Sequence, residues 1–416
     1  MTELLKSAFQ KLLLKDDNSE DDTKINIIQM LLDRDLTRLC FDIFKNLDAA
    51  SLTNCKLVCK TWKDFIDYHF YELPQGQIWI KDQIQKNILD DSYQPRLLKK
   101  HLDEEIYGIV SDEFSTCITT FSGSVINFEL HTLDHIWTLK VHHNLLQHFM
   151  SQSKIYAVTS DLGDTAESHL FIIDRGAGTL IHTFENLHVY PMFGVRVFND
   201  NIIATASLCL DNLAEGVIKF HKILDEDLKL IKDKVNLADG YVHLDCDGEI
   251  IVSGTTFGQL TAWKFANGEK LNTLETRQIL QVIKVKWPYV ITCTCDNMFE
   301  DFDKGIKVFN LEQELLVRHI QTFQYATDIS IQNNLLMICG IRCGVGETYS
   351  KKTHAFMNWQ DILNKDIKTE NVSTNRIQFI DPEEPMYEKM NSSAMNGSDV
   401  ITNEKKRYLV QRSYWP

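Results

Sequence analysis

Gly123-Ser-Val-Ile-Asn-Phe128, Gly216-Val-Ile-Lys-Phe220, Gly258-Gln-Leu-Thr-Ala-Trp263 and Gly305-Ile-Lys-Val-Phe309 decide how this chain is read. Each sets a glycine ahead of a short strand-like run ending in a bulky side chain. The glycines are 93, 42 and 47 residues apart. A β-branched, small-residue run lies just upstream of three such copies and recurs once more: Ile203-Ala-Thr-Ala206, Ile251-Val-Ser-Gly254, Val290-Ile-Thr-Cys293 and Met337-Ile-Cys-Gly340. A third element, aliphatic-x-Thr-apolar, appears at Ile136-Trp-Thr-Leu139, Ile181-His-Thr-Phe184, Leu271-Asn-Thr-Leu274 and Ile320-Gln-Thr-Phe323. Its threonines are 45, 90 and 49 residues apart, the 90 being two periods around a divergent copy. Three strand patterns in phase at this spacing are an internal repeat.

A period of about 40–49 residues fits a four-stranded propeller blade with its loops. Residues 105–416 hold six clear copies, and a seventh is sought around Arg376–Ile380 and Arg407–Trp415. Because the ring must close, a terminal strand near Tyr408-Leu409-Val410 is expected to complete a blade with an earlier segment. The expected fold is α plus all-β, a small helical domain followed by a β-propeller of seven blades, with six or eight as the alternatives.

Upstream the texture changes. From Ile25 to about Leu98 apolar residues recur at helical spacing, and Leu36, Leu39, Ile43, Phe44 and Leu47 share one helix face. Asp48 is placed to cap a second helix, whose stripe is Leu52, Cys55, Cys59 and Trp62. Val58, Phe65 and Ile66 widen that stripe beyond one buried face. Leu4, Leu5, Phe9, Leu12 and Leu13, interleaved with Lys6, Lys11 and Lys15, make an amphipathic first helix, and Asp16–Asp22 reads as a solvated acidic linker. The expected divisions are therefore 1–24 (helix and linker), 25–75 (helical domain), 76–104 (helical linker) and 105–416 (propeller).

Composition sets outer bounds. The 416 residues are 44% hydrophobic and 24% charged, enough apolar material for a sizeable core. A formal net charge of −15 lacks the basic footprint of a nucleic-acid or anionic-membrane binder, so neither partner is expected. No run of about 18 apolar residues appears, and Met1-Thr2-Glu3 leads into no apolar signal core. The expectation is a soluble protein, cytoplasmic and/or nuclear. Ten cysteines without a C-x-x-C pair read as small apolar fillers in a reduced compartment, although Cys293 and Cys295 would share one face of a strand.

The helical segment resembles the F-box. It carries Leu47-Asp48-Ala49-Ala50-Ser51-Leu52 and then Leu57-Val58-Cys59-Lys60-Thr61-Trp62 at that family's spacing, and departs at the entry, where the family's Leu-Pro is Leu31-Leu32. The β region resembles a divergent WD-repeat propeller. Its Gly-His and Trp-Asp signatures are absent, and the dipeptide positions read Asn127-Phe128, Phe220-His221, Trp263-Lys264 and Phe309-Asn310. Together these imply a substrate receptor of a Skp–cullin–F-box ubiquitin ligase: non-catalytic, without cofactor or metal, binding the Skp adaptor and cullin through the F-box and a protein substrate through the propeller. A scaffold in a non-degradative assembly is the alternative.

The resemblance places adaptor contacts at Leu39, Ile43, Leu47, Leu52, Leu57, Val58, Cys59 and Trp62. Independently, so small a domain has more apolar surface than it can bury alone. For the substrate, acidic loops between second and third strands, represented by Asp164, Asp211 and Asp301, would repel a phosphorylated segment and favour a basic or neutral one. Arg175, Arg196, Arg318 and Arg342 are the scattered basic candidates, and Arg342 is kept with the acidic three as a candidate substrate contact. No phosphate loop, H-E-x-x-H or G-x-S-x-G element is present.

Overall fold

The computed structural model describes residues 27–413 apart from 91–94, 142–144, 160–167, 189–191, 210–214, 239–241, 295–304, 321–324, 343–350, 365–373, 380–392, 405–407 and isolated positions or pairs between them. The chain divides into two compact units, one reaching to Asn87 and the other spanning Ile88–Ser413.

The first unit is helical: α1 (Ile27–Leu32), α2 (Thr37–Lys45), α3 (Ala49–Cys55), α4 (Lys60–Ile66), a π-helical turn (Asp67–Glu72) and the start of α5 (Pro74–Leu89). Its core is aromatic. Phe44 lies edge-on to Trp62 at 5.5 Å and 5.6 Å from Phe65, while Phe70 stacks on Phe41 at 4.6 Å and meets Trp79 edge-on. Ile28, Cys40, Leu52, Cys55 and Ile66 fill the remainder. The helix face read from α2 is therefore divided. Phe44 is fully buried and Ile43 and Leu47 pack partly against the core, whereas Leu36 and Leu39 stand in solvent. Cys40, one turn before Phe44, takes the inward position beside it. Asp48 and the amphipathic segment at residues 4–13 lie outside the described residues.

In the second unit the described strands form seven four-stranded antiparallel sheets. In chain order they occupy residues 106–140, 145–185, 192–238, 242–275, 280–320, 325–379, and 393–413 together with Arg96–His101. The first strand of each sheet touches the first strand of the next, and Ser393–Asn396 returns to Ile106–Ser111, so this unit is a closed β-propeller. The closing sheet orders Arg96–His101 beside Tyr408–Ser413, with Leu98 opposite Gln411 and Lys100 opposite Leu409.

That closure corrects two expectations. The stretch expected as a helical linker to residue 104 holds helix only to Leu89 and supplies a strand at Arg96–His101. The fragments sought as one last copy belong to different sheets: Thr374–Phe379 is the outer strand of the sixth, and Tyr408–Ser413 pairs inside the closing one. Distance along the chain hides a pairing between segments some three hundred residues apart, because periodicity reports only neighbours.

The repeated glycine has a backbone reason. Gly123, Gly258 and Gly305 adopt φ of 84°, 99° and 96° as each leads into the third strand of its sheet, a conformation that side chains resist. A Cβ on Gly258 would also stand 2.5 Å from the Gln278 carbonyl oxygen. The β-branched runs form the second strands, buried on both faces. Thr138, Thr183 and Thr273 lie on exposed fourth strands, while Thr322 is outside the described residues. Cores sit between neighbouring sheets, as where Ile291, Cys293, Ile306 and Val308 meet Ile329, Ile338, Ala355 and Trp359.

Candidate functional site

The turn between α3 and α4 displays the most exposed large apolar side chain among the described residues. Leu57 is 83% exposed and Val58 47%. Both are held by backbone order: the Leu57 and Val58 N–H groups donate to Asn54 and Cys55 carbonyls, continuing α3 as a tight turn. Beside them Lys56 pairs with Asp67 at 2.6 Å and lies over the Tyr71 ring, which fixes the turn on the π-helical segment. Leu39 is 47% exposed on α2. Burying one such leucine is worth roughly 1.5–3 kcal/mol, and the unit leaves this unclaimed.

The eight residues taken from the resemblance thus separate by burial. Leu52 and Trp62 are interior, and Ile43, Leu47 and Cys59 flank the core at half burial. Leu39, Leu57 and Val58 face solvent. Leu36, 42% exposed and three residues before Leu39, was visible in the same stripe yet was not among the eight.

On the propeller, Asp164, Asp211 and Asp301 fall in connections between second and third strands and lie outside the described residues. Arg342 ends the strand Leu335–Arg342 opposite Lys351, and its side chain is likewise outside them. The remaining basic candidates are occupied within the fold. Arg175 forms a two-pronged pair with Asp112 at 2.5 Å and reaches the Ser151 carbonyl and Ser115 Oγ, tying the first sheet to the second. Arg318 donates to the carbonyls of Ile362 and Asn364 around the short helix α6 (Trp359–Leu363).

Arg196 belongs to a buried cluster that no sequence pattern announced. Asp245 is 3% exposed and accepts from Arg196 Nε at 3.1 Å, Lys284 Nζ at 3.3 Å and the Val285 N–H at 2.8 Å. These residues come from the innermost strands of three successive sheets. Burial would raise the Asp245 pKa, but Lys284, Arg196 and the backbone donor outweigh it and hold the carboxyl below its ordinary value. Asp247 likewise accepts from the Trp287 N–H, and Gln147 from Val195. The innermost strands are sheet edges whose donors need partners, and side chains from the preceding sheet supply them.

A second recurring device ties the residue before a first strand to the second strand of the same sheet. Glu104 accepts from Thr120 at the end of that strand and from Ser122 in the turn beyond it. His188 bonds Thr205 and Ser207, each at 2.7 Å, and Gln278 accepts from Thr292 at 2.5 Å. Burial pushes the His188 imidazole down to about 3, so it bridges the two hydroxyls as the neutral ring. The three residues are 84 and 90 residues apart, on the repeat period, but their types differ and no motif search joins them.

Among the described residues no group of His, Cys, Asp and Glu could hold a metal ion, and no helix is long and apolar enough to cross a membrane. The F-box-like family model matches residues 25–72. A comparison with curated proteins finds no match. Among solved structures, a crystal structure of the computationally designed Ika8 protein covers 76% of this chain and 98% of its own, at 13% identity and a TM-score of 0.51, a likeness of fold alone. Residues 25–72 are an F-box-like domain, and a β-propeller follows it in the chain.

Proposed function

We propose that the protein is a non-catalytic substrate-recognition subunit of a cullin-type ubiquitin ligase, cytoplasmic and/or nuclear. Its F-box-like domain docks on the Skp adaptor and its propeller holds the protein to be modified. The seven sheets are read as seven blades of divergent WD-repeat type, with Glu104, His188 and Gln278 taking the place of the missing Gly-His histidine. Of the eight positions drawn from the family, Leu39, Leu57 and Val58 make the adaptor contact. Leu52 and Trp62 shape the domain that presents them, and Ile43, Leu47 and Cys59 line its border.

The observation that carries this reading is Leu57: 83% exposed, on a hydrogen-bonded turn, in a domain that already owns a complete aromatic core. Such a side chain is stable in water but gains by burial in a partner. The acidic connections represented by Asp164, Asp211 and Asp301, with Arg342, remain the proposed substrate rim, suited to a basic or neutral segment.

Co-purification with the Skp adaptor and cullin tests it, comparing wild type with Leu57→Asp/Val58→Asp. Loss of association in a variant with unchanged circular dichroism is expected. If wild type fails to associate, or the variant associates equally, the ligase reading falls. Association that is retained without transfer of ubiquitin to any captured protein would favour a scaffold in a non-degradative assembly.

A further inference from the structure

Leu57 and Val58 follow a helix of only seven residues, α3 (Ala49–Cys55). So short a helix is not stable by itself, and its last turn frays unless something outside holds it. Leu52 and Cys55 bury the helix proper, but beyond Cys55 no side chain is fully buried until Trp62. The backbone of the turn is tied by three donations, from the Lys56 N–H to Thr53, from Leu57 to Asn54 and from Val58 to Cys55, at 3.2, 3.0 and 3.2 Å. Leu57, at 83% exposure, anchors nothing. The side chain that ties this turn to the rest of the unit is Lys56.

Its ammonium stands 2.6 Å from Asp67 Oδ1 and 4.5 Å from the centroid of the Tyr71 ring. Asp67 and Tyr71 are four residues apart on the π-helical segment, so one cation meets both on the same side. That platform is itself fixed. Gln77 Nε2 donates to the Tyr71 carbonyl at 2.9 Å, and α5 passes so close that a Cβ on Gly76 would lie 2.0 Å from the His69 carbonyl oxygen. We propose that Lys56 is a positioning residue for the partner contact: its double hold on Asp67 and Tyr71 keeps Leu57 and Val58 in the turn that binds. Losing it lowers the fraction of chain whose turn is competent, without removing a contact from the interface. The identity of the partner rests on the adaptor reading, whereas the lock on the turn does not.

Two measurements on the full chain separate a local lock from a general support. The first is hydrogen exchange read at the Leu57 and Val58 amides. Lys56→Met keeps the stem and loses the charge, and exchange there is expected to rise about fivefold while that of α2 stays within about twofold. Lys56→Arg retains a cation for both the carboxylate and the ring, and is expected to restore the slow exchange. The second is affinity for the purified Skp adaptor. Lys56→Met is expected to weaken it by about threefold in the wild-type background. In a Leu57→Ala background it should have little further effect, because the lock then presents less. Unchanged exchange at the turn overturns the proposal. So does exchange that rises equally in α2, which would make the pair a support of the whole unit. An unchanged affinity overturns it too, as does an equal loss in both backgrounds, which would mean that Lys56 touches the adaptor itself. A wild type that does not bind the adaptor overturns the ligase reading, and the exchange result still decides the lock.

Discussion

The helical unit and the propeller treat polarity in opposite ways. The first encloses Phe44, Phe65, Phe70 and Trp62 and leaves Leu57, Val58, Leu39 and Leu36 in water. The second encloses His148, His188, Asp245 and Lys307 and gives the first three hydrogen-bond partners in neighbouring strands or sheets, while Lys307 donates to the Thr276 carbonyl. Size explains part of the contrast, since a small domain cannot wrap all its apolar surface whereas a ring of sheets can. The placement explains the rest. Buried polar groups specify how sheet follows sheet, and exposed apolar ones invite a surface from elsewhere.

The sharpest test of that division is a pair of truncations in the helical unit. Phe44→Ala removes a ring fully buried against Trp62 and Phe65 and should cost about 3–5 kcal/mol of stability. Leu57→Ala deletes a comparable apolar side chain from an 83% exposed position and should move stability by less than about 0.5 kcal/mol. Denaturant unfolding followed by helical circular dichroism reads both. A Leu57→Ala loss approaching that of Phe44→Ala would mean that Leu57 belongs to a core, and the comparison would break.

The propeller offers the converse. Asp245→Asn keeps an acceptor for the Val285 N–H but leaves Arg196 and Lys284 facing each other without the carboxylate between them. Both cations retain some contact with water, so the loss should be about 2–3 kcal/mol, below that for a fully enclosed pair. Unfolding of the β signal measures it. An unchanged midpoint would show that the cluster contributes nothing to how the third, fourth and fifth sheets are joined.

How far the sequence carried the reading follows from range. Gly123, Gly258 and Gly305 were legible because one local conformation repeats on a fixed period, and Leu57-Val58-Cys59 because a turn between two helices keeps its spacing. The strand at Arg96–His101 was not, since its six residues have no strand alternation of their own and acquire their state from Tyr408–Ser413. Leu39 and Cys40 show a related limit: a helical stripe gives a direction to within one residue, and tertiary packing chooses between neighbours. The Asp245 cluster joins three periods, Arg196, Asp245 and Lys284, through unlike side chains. A repeat search tuned to identity passes over it.

Acid gives the gentlest probe of the comparison, because three neutral histidines are held in the propeller. His148, on an innermost strand, contacts Thr119 Oγ1 and donates to the Cys117 carbonyl, and burial pushes it down to about 4; burial does the same to His243 on another innermost strand. His188 lies between Thr205 and Ser207 and is pushed down to about 3. In each case the folded pKa is below that of the unfolded chain, near 6.5, so the unfolded state takes up the proton first. Their contribution is complete above about pH 6.5 and is lost as pH falls toward the folded values. The expected slope is about 1.4 kcal/mol per pH unit for each histidine between pH 6 and 4. Asp245, held low by its cations, adds to the loss only at the acid end. His188→Gln keeps a donor and an acceptor for the two hydroxyls but cannot titrate, and should remove about a third of the histidine slope in denaturant midpoints measured from pH 7 to 4.5. A slope unchanged by His188→Gln would mean that this imidazole is charged, or solvated, in the folded ring, and its place among the interior ties would be lost.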